Sequence, residues 1–268
     1  MNIAIQGQAG SFHEQAAAQW FKNNYDIIPC ATFSDVFTAY ETGEADAIVC
    51  AVENTIYGSI NEVYQLIEDC SAPLVGEVKL QINQQLIARS DATPKTITEI
   101  YSHPVALAQC RKFLSAQYPN AELIEYFDTA GAVEFVKSLN ANTAAAVAGE
   151  QAARLYGLPI IAKNIQDNMH NHTRFLVLQD NDTSPQANRA ALVITTADKP
   201  GALAEVLNIF ATNSVNLEKL QSQPIIGQPW EYKFYLVVDT TGSKLRKIVS
   251  QIEKSDHAVT LLGEYVGA

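Results

Sequence analysis

The sequence predicts an α/β fold followed by a smaller βαββαβ module, and three observations carry that prediction. Short apolar runs alternate with segments of helical periodicity through residue 178. Several of those runs end in glycine, serine or aspartate just ahead of a helix, as strand-to-helix turns in α/β proteins do. A polar, turn-rich stretch from Asp180 to Asn188 then marks a linker, and the rhythm changes beyond it. At 268 residues, 47% hydrophobic and 18% charged, the chain can hold one large or two unequal domains. The expected division is 1–180 and 188–268.

Ile3-Ala4-Ile5 opens the first strand, and Gly7-Gln8-Ala9-Gly10 turns it into a helix at Ser11, with Glu14 at capping-box spacing. Such a turn presents free backbone N–H groups above the strand end. It has neither the Gly-Lys-Ser/Thr of a phosphate loop nor dinucleotide glycine spacing, so alone it reads first as turn chemistry. Ala47 to Val52 is a continuous apolar run suited to a buried parallel strand, ending in Glu53-Asn54-Thr55. Ser59 and Glu62 repeat the capping-box spacing ahead of Ile60, Val63, Tyr64 and Ile67, which predicts a helix over 60–69. Glu53 and Asn54 thus fall at the carboxyl end of a strand, where ligands bind in open α/β sheets. Glu53 reads there either as a site carboxylate or as a surface loop residue.

Apolar stretches near Leu74-Val75-Gly76 and from Gln85 to Ala88 carry the chain into a second lobe, about 80–160. Ser102-His103-Pro104 follows Ile100-Tyr101, and proline at a first helical position makes Ser102 and His103 candidate caps. Leu107, Cys110 and Leu114 keep helical spacing, which puts Gln109 on the solvent face. Asp128-Thr129-Ala130 is a further junction, Ala144 to Gly149 a small-residue strand, and a helix from Glu150 stops at Gly157-Leu158-Pro159. Polar residues then lead to Asn171-His172-Thr173-Arg174-Phe175, just before the apolar Leu176-Val177-Leu178. Arg174 is the only lysine or arginine between Lys163 and Arg189, and alone it reads as a solvated strand end.

Past the linker, Ala190 to Thr196 is a strand and Asp198 to Gly201 starts a helix carrying Leu203, Val206, Leu207 and Phe210. Val215 to Leu220 and Tyr232 to Val237 alternate, Leu245, Ile248, Val249 and Ile252 are helical, and Val259 to Val266 is a last strand. That order, in about 80 residues, is ferredoxin-like.

A net charge of −11 argues against nucleic acid and anionic membranes as partners. It leaves room for a small anion held by local dipoles and an arginine. Cys30, Cys50, Cys70 and Cys110 are widely spaced in apolar contexts and read as buried thiols, neither a disulfide framework nor a metal site. No basic-then-apolar leader opens the sequence and no stretch reaches spanning length, so a cytoplasmic location is expected.

Gly7 to Phe12, Val52 to Thr55 with Gly58-Ser59, Ser102 to Cys110, Asp128-Thr129-Ala130 and Asn171 to Phe175 together resemble the prephenate dehydratase family. Thr173-Arg174-Phe175 is the most specific of these motifs, and Asp198 to Leu203 is similar to the opening of an ACT regulatory domain. The resemblance implies a catalytic region of two α/β lobes, periplasmic-binding-protein-like (type II), with the active site in the cleft, plus a ferredoxin-like ACT domain. It implies conversion of prephenate to phenylpyruvate, with loss of carbon dioxide and water, in L-phenylalanine biosynthesis. It also implies no cofactor, no metal, and a homodimer or homotetramer paired through ACT domains. Catalytic positions carry over to Thr173, Glu53, Asn54 and Gln109, and substrate-binding positions to Arg174, Ser102, His103, Ser11 and Phe175. Positions for L-phenylalanine as effector carry over to Gly201, Ala202, Leu203, Gln221 and Ser222.

The chemistry of such a substrate agrees. Two carboxylates need orienting, which Arg174 and the helix N-termini after Gly10 and Ser102 can supply. A hydroxyl must leave, and a threonine hydroxyl is too weak an acid to be the sole proton source. Thr173 is therefore expected to polarise the leaving group as a hydrogen-bond donor. The proton would come from a Glu53 buried in the cleft or from an imidazolium at His103 or His172.

Where the family commonly shows Glu-Ser-Arg-Pro, this chain has Gln221-Ser222-Gln223-Pro224, so both charges are gone while phenylalanine feedback is still expected. Gln8 and Thr55 replace a usual proline and serine. Two other readings stay open: an arogenate dehydratase, and a non-catalytic carboxylate sensor. The joint presence of Thr173, Glu53, Asn54 and Gln109 speaks against the sensor.

Overall fold

The computed structural model describes residues 1–180, 187–225, 227–228 and 231–268, so most of the expected linker, 181–186, lies outside the described residues. In chain order the first sheet is built from β1 (Asn2–Gln6), α1 (Phe12–Phe21), β2 (Asp26–Cys30), α2 (Phe33–Glu41) and β3 (Ala47–Asn54). Ile3, Ala4 and Ile5 are wholly buried and pair in parallel with both β2 and β3. β3 is buried from Ala47 to Val52 and emerges only at Glu53 and Asn54, so its polar end is the end that leaves the core. β4 (Gly58–Ser59), α3 (Asn61–Asp69) and β5 (Leu74–Gln81) follow.

The capping box expected at Ser59 and Glu62 does not form. Ile60 is the N-cap residue of α3 with no side-chain cap, because the Ser59 hydroxyl lies in β4 and is bonded elsewhere.

The second sheet contains β6 (Gln85–Ala88), β7 (Glu99–Ser102), β8 (Glu122–Glu125), β9 (Ala144–Ala148) and β10 (Ile160–Ala162), in the order β10-β6-β9-β7-β8. Between these strands run α4 (Pro104–Gln109), α5 (Arg111–Gln117), α6 (Thr129–Leu139) and α7 (Glu150–Tyr156). β9 shows why small residues suit its place. Ala145 and Val147 join Leu107, Cys110 and Leu114 on one face, while Ala144, Ala146 and Ala148 join Val133, Val136 and Ala152 on the other. Alternate side chains therefore serve two helical layers, and a strand covered on both sides carries no polar face. β11 (His172–Gln179) returns the chain to the first sheet, whose order is β2-β1-β3-β11-β5.

The carboxy-terminal module is β12 (Arg189–Thr195), α8 (Ala202–Thr212), β13 (Leu217–Pro224), β14 (Tyr232–Val238), α9 (Gly242–Glu253) and β15 (Ala258–Tyr265). Its sheet, β13-β14-β12-β15, is antiparallel throughout, as the ferredoxin-like order requires. Leu192, Ile194, Leu236 and Val238 face Val206, Phe210, Leu245, Ile248 and Ile252 of its two helices.

The chain forms two compact units that are not contiguous in sequence. One is Met1–Gly58 with Lys79–Phe175; the other is Ser59–Val78 with Leu176–Ala268. In the second unit α3 lies against the sheet of the βαββαβ module, with the Tyr64 and Tyr235 rings 5.0 Å apart. A buried Glu77 there pairs with Arg189 at 3.0 Å and accepts the Tyr265 hydroxyl at 3.3 Å. No described helix is long and apolar enough to cross a membrane.

Candidate active site

Asn54 fixes the centre of the site. Its Oδ1 accepts the backbone N–H groups of Ile56 and Tyr57 at 3.0 and 3.1 Å, which only an oxygen can do, so the orientation of the amide is set by the turn. Nδ2 then faces Asn171 Oδ1 at 2.8 Å and Thr173 Oγ1 at 2.9 Å. Asn171, wholly buried, passes the same polarity on, its Nδ2 donating to Gln109 Oε1 at 3.0 Å.

Four side chains from three distant stretches thus form one chain whose hydrogen bonds run outward from Asn54 in both directions. Thr173 accepts from Asn54 and keeps its own hydroxyl proton for another acceptor. Gln109 Nε2 is the terminal donor at the other end.

The structure corrects the expected exposure of Gln109. It is buried because the helix breaks at Cys110 into α4 and α5, which takes Gln109 off the solvent face that continuous periodicity gave it. The Gln109 carbonyl accepts the Asp167 N–H at 2.7 Å, and the Asp167 carboxylate accepts the Lys112 N–H at the start of α5. One loop residue therefore secures the break on both sides.

Beside this chain Arg174 Nε lies 3.6 Å from Glu53 Oε2, both side chains partly buried. A guanidinium partner, not an apolar enclosure, stands by the carboxylate. Phe175 is buried, with its ring 5.1 Å from His13 in edge contact; His13 in turn meets Phe33 and accepts the Ala51 N–H on Nε2 at 3.2 Å. Burial lowers the His13 imidazole to about 4. Thr55 ties the turn to the signature strand: its hydroxyl donates to the His170 carbonyl and accepts the His172 N–H. A threonine fills that role as well as a serine does.

The remaining candidates come from helix starts. Ser11 caps α1 by accepting the Glu14 N–H at 3.3 Å, while the Glu14 carboxylate accepts from Gly10, one residue earlier than a standard capping box. Asp128 caps α6 through the Gly131 N–H at 3.0 Å, and the same oxygen accepts the Gln8 N–H at 3.1 Å. The glycine loop of the first sheet therefore meets a helix start of the second. Gly7 and Gly10 both have positive φ, and a Cβ on either would come within 3.0 Å of Asp128 or Ala152. These glycines are needed for close approach as well as for turning.

His103, not Ser102, caps α4, with its Nδ1 accepting the Val105 N–H at 3.3 Å. Ser102 ends β7, wholly buried, and donates its hydroxyl to the Val147 carbonyl. Burial lowers the His103 imidazole, with the Asp128 and Glu125 carboxylates pulling the other way, so the imidazolium expected as a proton source is disfavoured. Asn171, Asp128 and His13 were not among the expected site residues. The signal for Asn171 was its place beside Thr173, and for Asp128 its cap position; His13 had none.

The expected effector residues separate into two places. Gly201, Ala202 and Leu203, at the start of α8, line a cavity of about 270 Å³ together with Lys199, Tyr232 and Phe234. Gln221 and Ser222 do not line it. Gln221 accepts the Ser59 hydroxyl at 3.0 Å and donates to the Ser222 carbonyl. Among the described residues no cluster of His, Cys, Asp and Glu suits a metal ion, and the four cysteines are free thiols.

Residues 3–183 match the family described as prephenate dehydratase, and residues 190–257 match the ACT domain. A bifunctional chorismate mutase/prephenate dehydratase of Aquifex aeolicus (strain VF5) is 35% identical over 270 residues, covering 99% of this chain and 73% of that protein. A prephenate dehydratase of Arthrobacter aurescens, solved with L-Phe, superposes with a TM-score of 0.87 at 27% identity, covering 99% of this chain and 90% of its own. GqqA, described as a novel type of quorum-quenching acylase, superposes with a TM-score of 0.88 at 27% identity, covering 100% of this chain and 98% of its own. With matched segments that take in both halves and a relative above 30% identity over nearly the full length, the chain belongs to the prephenate dehydratase family, with a carboxy-terminal ACT domain.

Proposed function

We propose that this protein converts prephenate to phenylpyruvate, carbon dioxide and water in L-phenylalanine biosynthesis. The observation that carries this reading is the Thr173 hydroxyl, which accepts from Asn54 Nδ2 at 2.9 Å and so holds its proton ready for an outside acceptor. In the reaction the bond from the ring to its carboxylate breaks and its electron pair enters the ring. The ring C–O bond breaks with its electron pair leaving on oxygen, and the departing hydroxyl takes one proton, drawn in net from solvent, and leaves as water. A donor aimed at that oxygen stabilises the charge that develops there. Arg174, neighbouring Thr173 in sequence and paired with Glu53, supplies the cation for a substrate carboxylate. The lobes that carry these groups would work like those of a type II periplasmic binding protein, meeting at the Gln8–Asp128 and Gly10–Ala152 contacts.

The likeness to GqqA raises acyl transfer as a second reading. A nucleophilic threonine needs a base to take its proton. Thr173 instead faces an amide donor, which suits hydrogen-bond donation and not attack. The ACT half is read as the seat of phenylalanine feedback, at the cavity beside Gly201. The working protein is read as a cytoplasmic homodimer or homotetramer paired through ACT domains.

The test is incubation of the purified chain with prephenate and, separately, with arogenate. Phenylpyruvate release from prephenate at the higher kcat/KM supports the proposal. Turnover of arogenate alone replaces it with the amino-substrate reading, and turnover of neither removes it.

A further inference from the structure

The sheet of the βαββαβ module buries two lysines, Lys219 and Lys233, on the face away from its own helices. Buried lysines are rare unless partnered, and both reach into the 59–78 segment. Lys233 Nζ pairs with Glu68 and donates to Gln65 at 2.7 Å, and the Tyr235 hydroxyl donates to the same Glu68 carboxylate at 2.6 Å. Lys219 Nζ lies 5.1 Å from the Tyr64 ring centre and donates to Ser59 Oγ at 2.9 Å. Ser59 in turn donates to Gln221 Oε1 at 3.0 Å. Its hydroxyl thus accepts from one β13 residue and donates to another two positions along.

Ser59 directly follows Gly58, and the turn from Asn54 to Gly58 is the one that Asn54 Oδ1 holds through Ile56 and Tyr57. The chain from Ser59 back to the amide that orients Thr173 is only five residues long. β13 lies beside β14, whose Tyr232 and Phe234 line the cavity near Gly201, with Ser222 opposite Phe234 and Pro224 opposite Tyr232.

We propose that Ser59, Lys219 and Gln221 are positioning residues, a clamp through which effector binding on the βαββαβ module sets the 54–58 turn and with it the Asn54–Thr173 hydrogen bond. The proposal rests on the functional reading above and adds to it the route of regulation. An amino-acid effector that shifts β13 moves Ser59, and the turn follows through its own backbone.

The test uses the full chain as parent, Ser59→Ala, and Ser59→Thr, which keeps the hydroxyl. Hydrogen exchange of peptides spanning 54–59 should rise about fivefold in Ser59→Ala, from the loss of one hydrogen-bonded anchor, and return toward the parent in Ser59→Thr. Half-inhibition of prephenate turnover by L-phenylalanine should need about tenfold more effector in Ser59→Ala, while L-phenylalanine binding measured by calorimetry stays within about threefold. Parent-like exchange, or parent-like inhibition, in Ser59→Ala overturns the clamp. A parent that turns over prephenate without responding to phenylalanine overturns the coupling. A parent that releases no phenylpyruvate contradicts the functional reading instead, and the exchange comparison, which needs no substrate, still decides whether the clamp exists.

Discussion

Two backbone N–H groups in the 54–58 turn dictate how Asn54 lies, and from that one constraint the polarity of Asn171, Gln109 and Thr173 follows. Asn171→Leu should therefore orphan partners on both sides, costing about 2 kcal/mol in urea unfolding and lowering kcat. Gly10→Ala meets two penalties, a positive φ and a Cβ 3.0 Å from the Ala152 backbone, and should destabilise by about 2 kcal/mol by the same measurement.

His13 gives a pH prediction with a definite sign. Its folded-state value of about 4 lies below the unfolded 6.5, so the unfolded chain binds the extra proton between them. Stability from this group is intact above pH 6.5 and lost as pH falls toward 4, by about 2 kcal/mol after allowing for the ring's partial exposure. Relative to the parent, His13→Gln, which can still accept the Ala51 N–H, should gain that amount between pH 7 and pH 4. An unchanged difference across that range would contradict the assignment. At this scale the sequence put Asn54 at a strand end where ligands bind, but it joined Asn54 to Thr173 and Gln109 only by resemblance, because no periodicity or spacing links residues 54, 109 and 173. His13 was silent, since a histidine early in an alanine-rich helix announces no contact with a strand residue far along the chain.

At the scale of elements, apolar runs and cap residues located many of the strands and helices, since those signals are local, but not β2, α2 or β8, whose stretches carry weaker patterns. They failed where a distant partner overrides a local rule. Ser59 has the spacing of a cap, but Lys219 and Gln221 claim its hydroxyl. Residues 104–117 have one helical period, but the helix breaks at Cys110 and the Asp167 loop secures the break. Asp128 illustrates the reverse, a visible cap with an unseen second task. Asp128→Ala should cost about 1 kcal/mol for the cap, and more for the lost Gln8 contact. A Gly7→Ala background, which crowds the same carboxylate, should make the two losses non-additive in a double-mutant cycle.

At the scale of the molecule, the α/β region and the ferredoxin-like module were both legible, because alternation and element order survive in the sequence. The composition of the second compact unit was not. Residues 59–78 join the carboxy-terminal module through side chains more than a hundred positions away, such as Glu77 with Arg189 and Glu68 with Lys233. Arg189→Met would leave the Glu77 charge buried with the Tyr265 hydroxyl still donating to it, and should destabilise that unit by about 3 kcal/mol.

The proposed reaction rests on Thr173 as a donor to a leaving hydroxyl, and its most direct measurement is phenylpyruvate release from prephenate by the parent chain and by Thr173→Ala. The predicted result is a fall in kcat of about 10²–10³, with prephenate binding by calorimetry nearly unchanged. Parent-like turnover in Thr173→Ala would contradict the central claim.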